Sequence, residues 1–174
     1  ASQSFERLLP SKGLTAQQIS FALRELGFGV KIYSSDAYGS EFLKLLKMYI
    51  ESGIPVVSAI QNTQGIGHAQ SIIGRARFTD ADVDALANSV DYGNNVLVYD
   101  FEDINVDYVF MDDNHPPYMH SKLETPSSFY TQPNWTGCKI KSFIVPLYSK
   151  IYMDAGEART FAKSVLKRYI TQLN

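Results

Sequence analysis

At 174 residues, 45% of them apolar and 20% charged, the chain has the length of one ordinary domain and too much apolar area to stay disordered. Its net charge of -2 offers no basic field to nucleic acid. The longest apolar runs are too short to span a bilayer, and no signal peptide is visible at Ala1.

The elements follow in chain order within one domain, 1–174, since no repeat, low-complexity tract or charged tail marks a boundary. Thr15 with Gln18 three residues on forms a capping box, and Ile19, Ala22, Leu23 and Leu26 recur at helical spacing up to Gly27. A short strand is expected at Val30–Tyr33. Ser40 is expected to cap a second helix bearing Phe42, Leu45, Leu46, Tyr49 and Ile50, ending at Gly53. Pro55 opens a strand, Val56–Ile60, where its missing N–H does least harm. After a Gly-rich turn, His68–Arg75 reads as a strand, and Asp80–Asn95 as a polar excursion with room for one helical turn. Val96–Phe101 and Tyr108–Asp112 read as two strands joined by a short acidic turn. Asn114–Gly137, with four prolines, reads as ordered loop, and Ile140–Leu147 as strand. In the last helix, Asp154 and Glu157 favour the N-terminus. Ala158, Phe161, Ala162, Val165, Leu166, Tyr169, Ile170 and Leu173 form one stripe, expected to be core. The sum is an α+β domain with helices on an antiparallel sheet.

Two places could carry chemistry. Gly65-Ile66-Gly67-His68-Ala69-Gln70 sets a histidine at the start of a strand, after a glycine turn that leaves the imidazole approachable; a general base needs such a rigid, open-sided seat. Val109-Phe110-Met111-Asp112-Asp113-Asn114 runs a strand into carboxylates that could orient that imidazole. Each segment also has a plain structural explanation: histidines at strand ends bond carbonyls, and acidic residues favour turns.

In order, the motifs resemble the bacteriocin-processing (double-glycine) peptidase group of the papain-like cysteine peptidases. The likeness runs over Gly13–Asn114. It consists of Leu14-Thr15-Ala16-Gln17-Gln18-Ile19 through Arg24-Glu25-Leu26-Gly27, then Leu43–Pro55, the strand with Gly67-His68, and the strand ending at Asp112. It implies a papain-like fold and hydrolase chemistry with His68 as general base and Asp112 as its orienting partner. That family carries Pro after the aspartate; Asp113 and Asn114 stand here instead, so the orienting residue is open among the three. The likeness also implies a nucleophilic Cys at a buried helix N-terminus and an upstream Gln, both before Gly13. Ala1–Lys12 holds neither a Cys nor room for the helix. The chain is therefore expected to be the C-terminal portion of a bacterial peptidase-like domain, or a domain that has dropped catalysis, and inactive as it stands.

The single cysteine, Cys138, excludes an intrachain disulfide and a cysteine-based zinc site; it does not settle the compartment, for which a bacterial cytoplasm is the working expectation. Gln132 and Cys138 resemble the Gln and Cys spacing of the adenain-type proteases, whose chain order of His, Asp, Gln, Cys would be His68, Asp112, Gln132, Cys138. Those enzymes place the Cys at a helix start; Lys139 and a strand follow here. A non-catalytic module binding a peptide or protein is the alternative of another class. His115, His120, Asp112 and Asp113 match no zinc spacing, so no metal and no cofactor is expected. Tyr118, Phe129, Tyr130 and Trp135 either line a peptide groove or pack their loop onto the sheet.

Overall fold

A computed structural model describes residues 13–86, 89–93, 96–151 and 153–172 of the chain. Helix α1 (Ala16–Glu25) begins with the expected reciprocal cap: Thr15 Oγ1 accepts from the Gln18 N–H at 3.2 Å and the Thr15 N–H donates to Gln18 Oε1 at 2.9 Å. Strand β1 (Gly29–Ser34) runs into a one-turn helix α2 (Ser35–Tyr38), capped by Ser34. Helix α3 (Glu41–Glu51) follows without a side-chain cap. Ser40 does not cap it as expected: its backbone is already helical (φ -65°, ψ -23°), whereas a cap residue is extended.

Then come β2 (Val56–Gln61), β3 (Gly67–Arg75), the short helix α4 (Asp80–Asp84), β4 (Val90–Asp91), β5 (Leu97–Val98), a 3-10 turn at Phe101–Asp103, β6 (Tyr108–Met111), β7 (Met119–Ser121), β8 (Lys139–Leu147) and α5 (Ala155–Gln172). Six strands form one sheet in the order β1-β8-β2-β3-β6-β7, each pair antiparallel, so the molecule is α+β.

The expected pairing of Val96–Phe101 with Tyr108–Asp112 does not form. β5 pairs with β4 in a separate two-stranded ribbon, and the acidic stretch between is bent into the 3-10 turn. Its groups are committed elsewhere. The Glu102 carbonyl accepts from Lys47 Nζ at 2.9 Å, and the Asp100 and Glu102 carboxylates hold Arg159 of α5. Within the expected loop of 114–137, Met119–Ser121 is a strand after all, laid against β6 as the sheet's edge.

One face of the sheet carries the core. Tyr33, Val56, Ile60, Ile72, Phe110, Phe143 and Val145 are buried there with Phe42, Leu46, Tyr49 and Ile50 of α3. Phe143, fully buried, stacks on Tyr33 at 4.8 Å and meets Phe42 at 5.1 Å. The other face, with Val57, Ala59, Ala69, Ser71, Met111, Ser142 and Ile144, borders a groove beside the N-terminal end of α1.

The stripe on α5 is not core. Of its described members Ile170 is buried, while Phe161 (58%), Val165 (49%), Leu166 (40%) and Tyr169 (62%) are exposed; Leu173 lies outside the described residues, as do Ala1–Lys12 and Asn95. The helix presents another side to the molecule. Arg159 and Lys163, with Ile170 at matching helical spacing, face inward, and both cations pair with Asp100. Lys31 to Asp154 at 3.2 Å and the Ala155 N–H to Tyr49 Oη fix the first turn. Among the described residues, ion pairs and cap bonds add to the apolar contacts of Ala155 and Ile170 in docking this helix.

Substitution at the two kinds of aromatic position separates these descriptions. Phe143→Ala is expected to cost about 3–5 kcal/mol in urea unfolding, and Phe161→Ser no more than about 0.5 kcal/mol. Comparable losses at both would mean that α5 is buried through its apolar stripe.

Candidate functional site

The site grows out of the alternation of β6. Tyr108 and Phe110 point into the core, and the next residue on that side is Asp112, whose side chain is fully buried. A carboxylate placed there needs donors, since an unpaired buried charge is costly. Among the described residues four are supplied, two to each oxygen. Oδ1 accepts the Asn114 backbone N–H at 2.9 Å and faces His115 Nδ1 at 3.4 Å; Oδ2 accepts the Tyr130 hydroxyl at 2.5 Å and faces His68 Nε2 at 3.2 Å. Burial pushes the Asp112 carboxyl upward. The Tyr130 hydroxyl, the Asn114 N–H, His68 and His115 together outweigh it and hold the group below the ordinary carboxylate value. The Tyr130 phenol is driven well up, by burial first and then by the hydrogen bond it gives Asp112.

His68 reaches this carboxylate from the neighbouring strand. It sits opposite Ile60 in the β2–β3 pair, just after the turn that joins them. That turn is built by Asn62, whose Oδ1 accepts the N–H groups of Gln64 at 2.9 Å and Ile66 at 2.8 Å. Gly65, at φ 78°, takes the left-handed conformation that the turn requires. The Thr63 N–H then donates to the Asn134 carbonyl at 3.2 Å, tying the turn to the segment that holds Trp135.

Aromatic rings enclose the pair. Phe129, Tyr130 and Trp135 form a continuous stack, with centroids 5.3 and 5.5 Å apart. His68 meets Trp135 edge-on at 5.9 Å, and His115 meets Tyr130 edge-on at 4.2 Å. Of the two roles expected for the loop aromatics, packing describes Phe129, Tyr130 and Trp135, while Tyr118 is exposed.

Set opposite Ile60, His68 projects to the core side of the sheet with Asp112; it borders only the edge of the groove on the other face, a cavity of about 950 Å³ lined by Leu14, Ile19, Val57, Met111, Asp113 and Ile144. His68 keeps 18% of its side chain accessible. With Nε2 engaged by Asp112, Nδ1 has no hydrogen bond among the described residues and is the nitrogen free to take a proton.

Of the three candidates for orienting residue, Asp112 is the buried one. Asp113, with 85% of its side chain exposed, stands 3.5 Å from His68 Nε2, and Asn114 contributes its backbone N–H. His68, Asp112 and Asp113 also form a group of three donors within 4.8 Å of one another, which could face a cation. Hydrogen bonds to Tyr130 and His68 already satisfy Asp112 Oδ2, and Asp113 is open to water, so the cluster needs no ion to be stable. His120 is exposed on β7, pairing in register with Val109.

Gln132 and Cys138 lack the helix start that the adenain-type arrangement implies. Cys138 is buried ahead of β8 with no helix at its position, and its thiol donates to the Trp135 carbonyl at 3.1 Å. Gln132 is exposed and its carbonyl caps the Trp135 N–H. Tyr130 and His115, by contrast, belong to the site. No spacing signals Tyr130, which lies in the loop 18 residues beyond its partner. The chain matches no protein-family model, no curated protein and no solved structure.

Two outcomes follow from this geometry. The Asp112 carboxyl titrates lower folded than unfolded (about 3.9). The stability it contributes is therefore complete above that value and drains away as pH falls through the folded one. Asp112→Asn should lower unfolding stability by about 1–3 kcal/mol at pH 7, with the gap closing below about pH 4. A gap that stays constant with pH would place the carboxylate outside the network. Alkylation of Cys138 in the folded protein should be slow at neutral pH and unchanged by His68→Ala; rapid labelling that the substitution slows would couple the two groups.

Proposed function

We propose that the chain is a papain-like cysteine-peptidase-related domain carrying the base half of the site, with His68 as general base and Asp112 as its orienting partner. The observation that supports this most is the engagement of His68 Nε2 by a fully buried carboxylate while part of the imidazole stays accessible. The pairing fixes one tautomer, leaves Nδ1 as the working nitrogen and stabilises the imidazolium that forms when a thiol is deprotonated. In that chemistry a thiolate adds to a peptide carbonyl, and the amine departs with the proton that His68 had taken. Cys138, buried and bonded to Trp135, is not the thiol for that step. The nucleophile belongs on a helix N-terminus brought to the groove, and without it the domain does not cleave peptides. The same absence of an accessible thiol favours a second role, holding a peptide in the groove without cutting it.

The test is the protein as its gene encodes it, treated with a thiol-directed acylating probe at neutral pH. The expected result is labelling at a cysteine other than Cys138, slowed about 10²–10⁴-fold by His68→Ala. Labelling indifferent to His68 would contradict the assignment. No labelling, together with peptide binding that groove substitutions such as Val57→Asp weaken, would favour the binding role.

A further inference from the structure

The Asp112 oxygen that faces His68 is shared. Its second partner is the Tyr130 hydroxyl, at 2.5 Å against 3.2 Å for the imidazole. Tyr130 is 7% exposed, and its ring lies between Phe129 and Trp135, which leaves the hydroxyl little freedom to seek water. The same ring meets both imidazoles that approach Asp112: His115 at 4.2 Å and His68 at 6.4 Å. From this geometry we infer that Tyr130 is a positioning residue, which sets through Asp112 the orientation and tautomer of His68.

The physical basis is the capacity of a carboxylate. Each oxygen offers two lone-pair directions, and both of those on Oδ2 are in use. The phenol donates along one and so confines the other to the side where His68 stands. It also draws off part of the oxygen's charge, which moderates the pull of Asp112 on the Nε2 proton. Oδ1 is held separately by the Asn114 N–H and by His115. Without the hydroxyl, Oδ2 would have the imidazole as its single donor among the described residues. The carboxylate could then turn about its last bond, and the Nε2–H contact would shorten or be lost to rotation. A residue that only filled space would leave these properties alone, because Tyr130→Phe keeps the ring and the stack and removes one oxygen.

The catalytic meaning of this role rests on His68 being the base, whereas the ring signature that tests it does not. Nitrogen-detected spectra of the imidazoles, taken near neutral pH, should show His68 in the wild-type protein as the Nε2–H tautomer. Tyr130→Phe should shift the Nε2–H proton or mix in the Nδ1–H tautomer. Phe129→Leu, which disturbs the stack without touching the carboxylate, should leave the His68 pattern unchanged. Unchanged His68 signals in folded Tyr130→Phe would overturn the inference, even if the acylation test succeeded. Should Tyr130→Phe not fold, the wild-type protein decides. A slowly exchanging Tyr130 hydroxyl proton in contact with the His68 Nε2–H supports the inference, and its absence contradicts it.

Discussion

A carboxylate with no exposed side-chain surface has to be supplied with donors, and the architecture around Asp112 follows from that need. β6 delivers it by plain alternation from the core positions Tyr108 and Phe110. The neighbouring strand brings His68, the loop after β7 brings Tyr130, and the turn beyond Asp112 folds back to bring Asn114 and His115. Three separate stretches of chain are thereby tied to one group. The long proline-containing loop gains its order from this point, since its aromatic residues stack around the same centre. An imidazole held this way is oriented before any partner arrives.

The rest of the molecule uses two kinds of attachment. Helix α3 is held by apolar burial, its four buried side chains set against the aromatic cluster of Tyr33 and Phe143. Helix α5 is held by Arg159, Lys163 and Asp154, by the Tyr49 hydroxyl and by buried Ile170, with Phe161, Val165, Leu166 and Tyr169 of its apolar stripe turned away. The contrast leaves one sheet face closed and the other bordering the groove.

Local signals were legible where local chemistry decides. The Thr15–Gln18 box, the strands after Pro55 and Gly67, the long strand of 139–147 and the α+β class could all be taken from residue order. Apolar periodicity in α5 pointed to the wrong face, because a pattern records which residues are alike and not which charges have partners elsewhere in the chain. The partners, Asp100 and Glu102, lie about 60 residues upstream, in a segment whose composition suggested a simple hairpin. His68 and Asp112 stood out through their positions at strand ends. Tyr130 had no such mark: one aromatic among several in a loop becomes distinct when its hydroxyl finds a carboxylate.

His68 and Asp112 stand within hydrogen-bonding distance, and their mutual effect on stability distinguishes a coupled pair from mere neighbours. A double-substitution cycle of His68→Ala and Asp112→Asn, read by urea unfolding at pH 7, measures that effect. A coupling of about 0.5–3 kcal/mol is expected, the range seen for residues joined in one hydrogen-bonded network. Effects that add to within about 0.5 kcal/mol would mean that the two side chains are independent, and the site described around Asp112 would not exist as a unit.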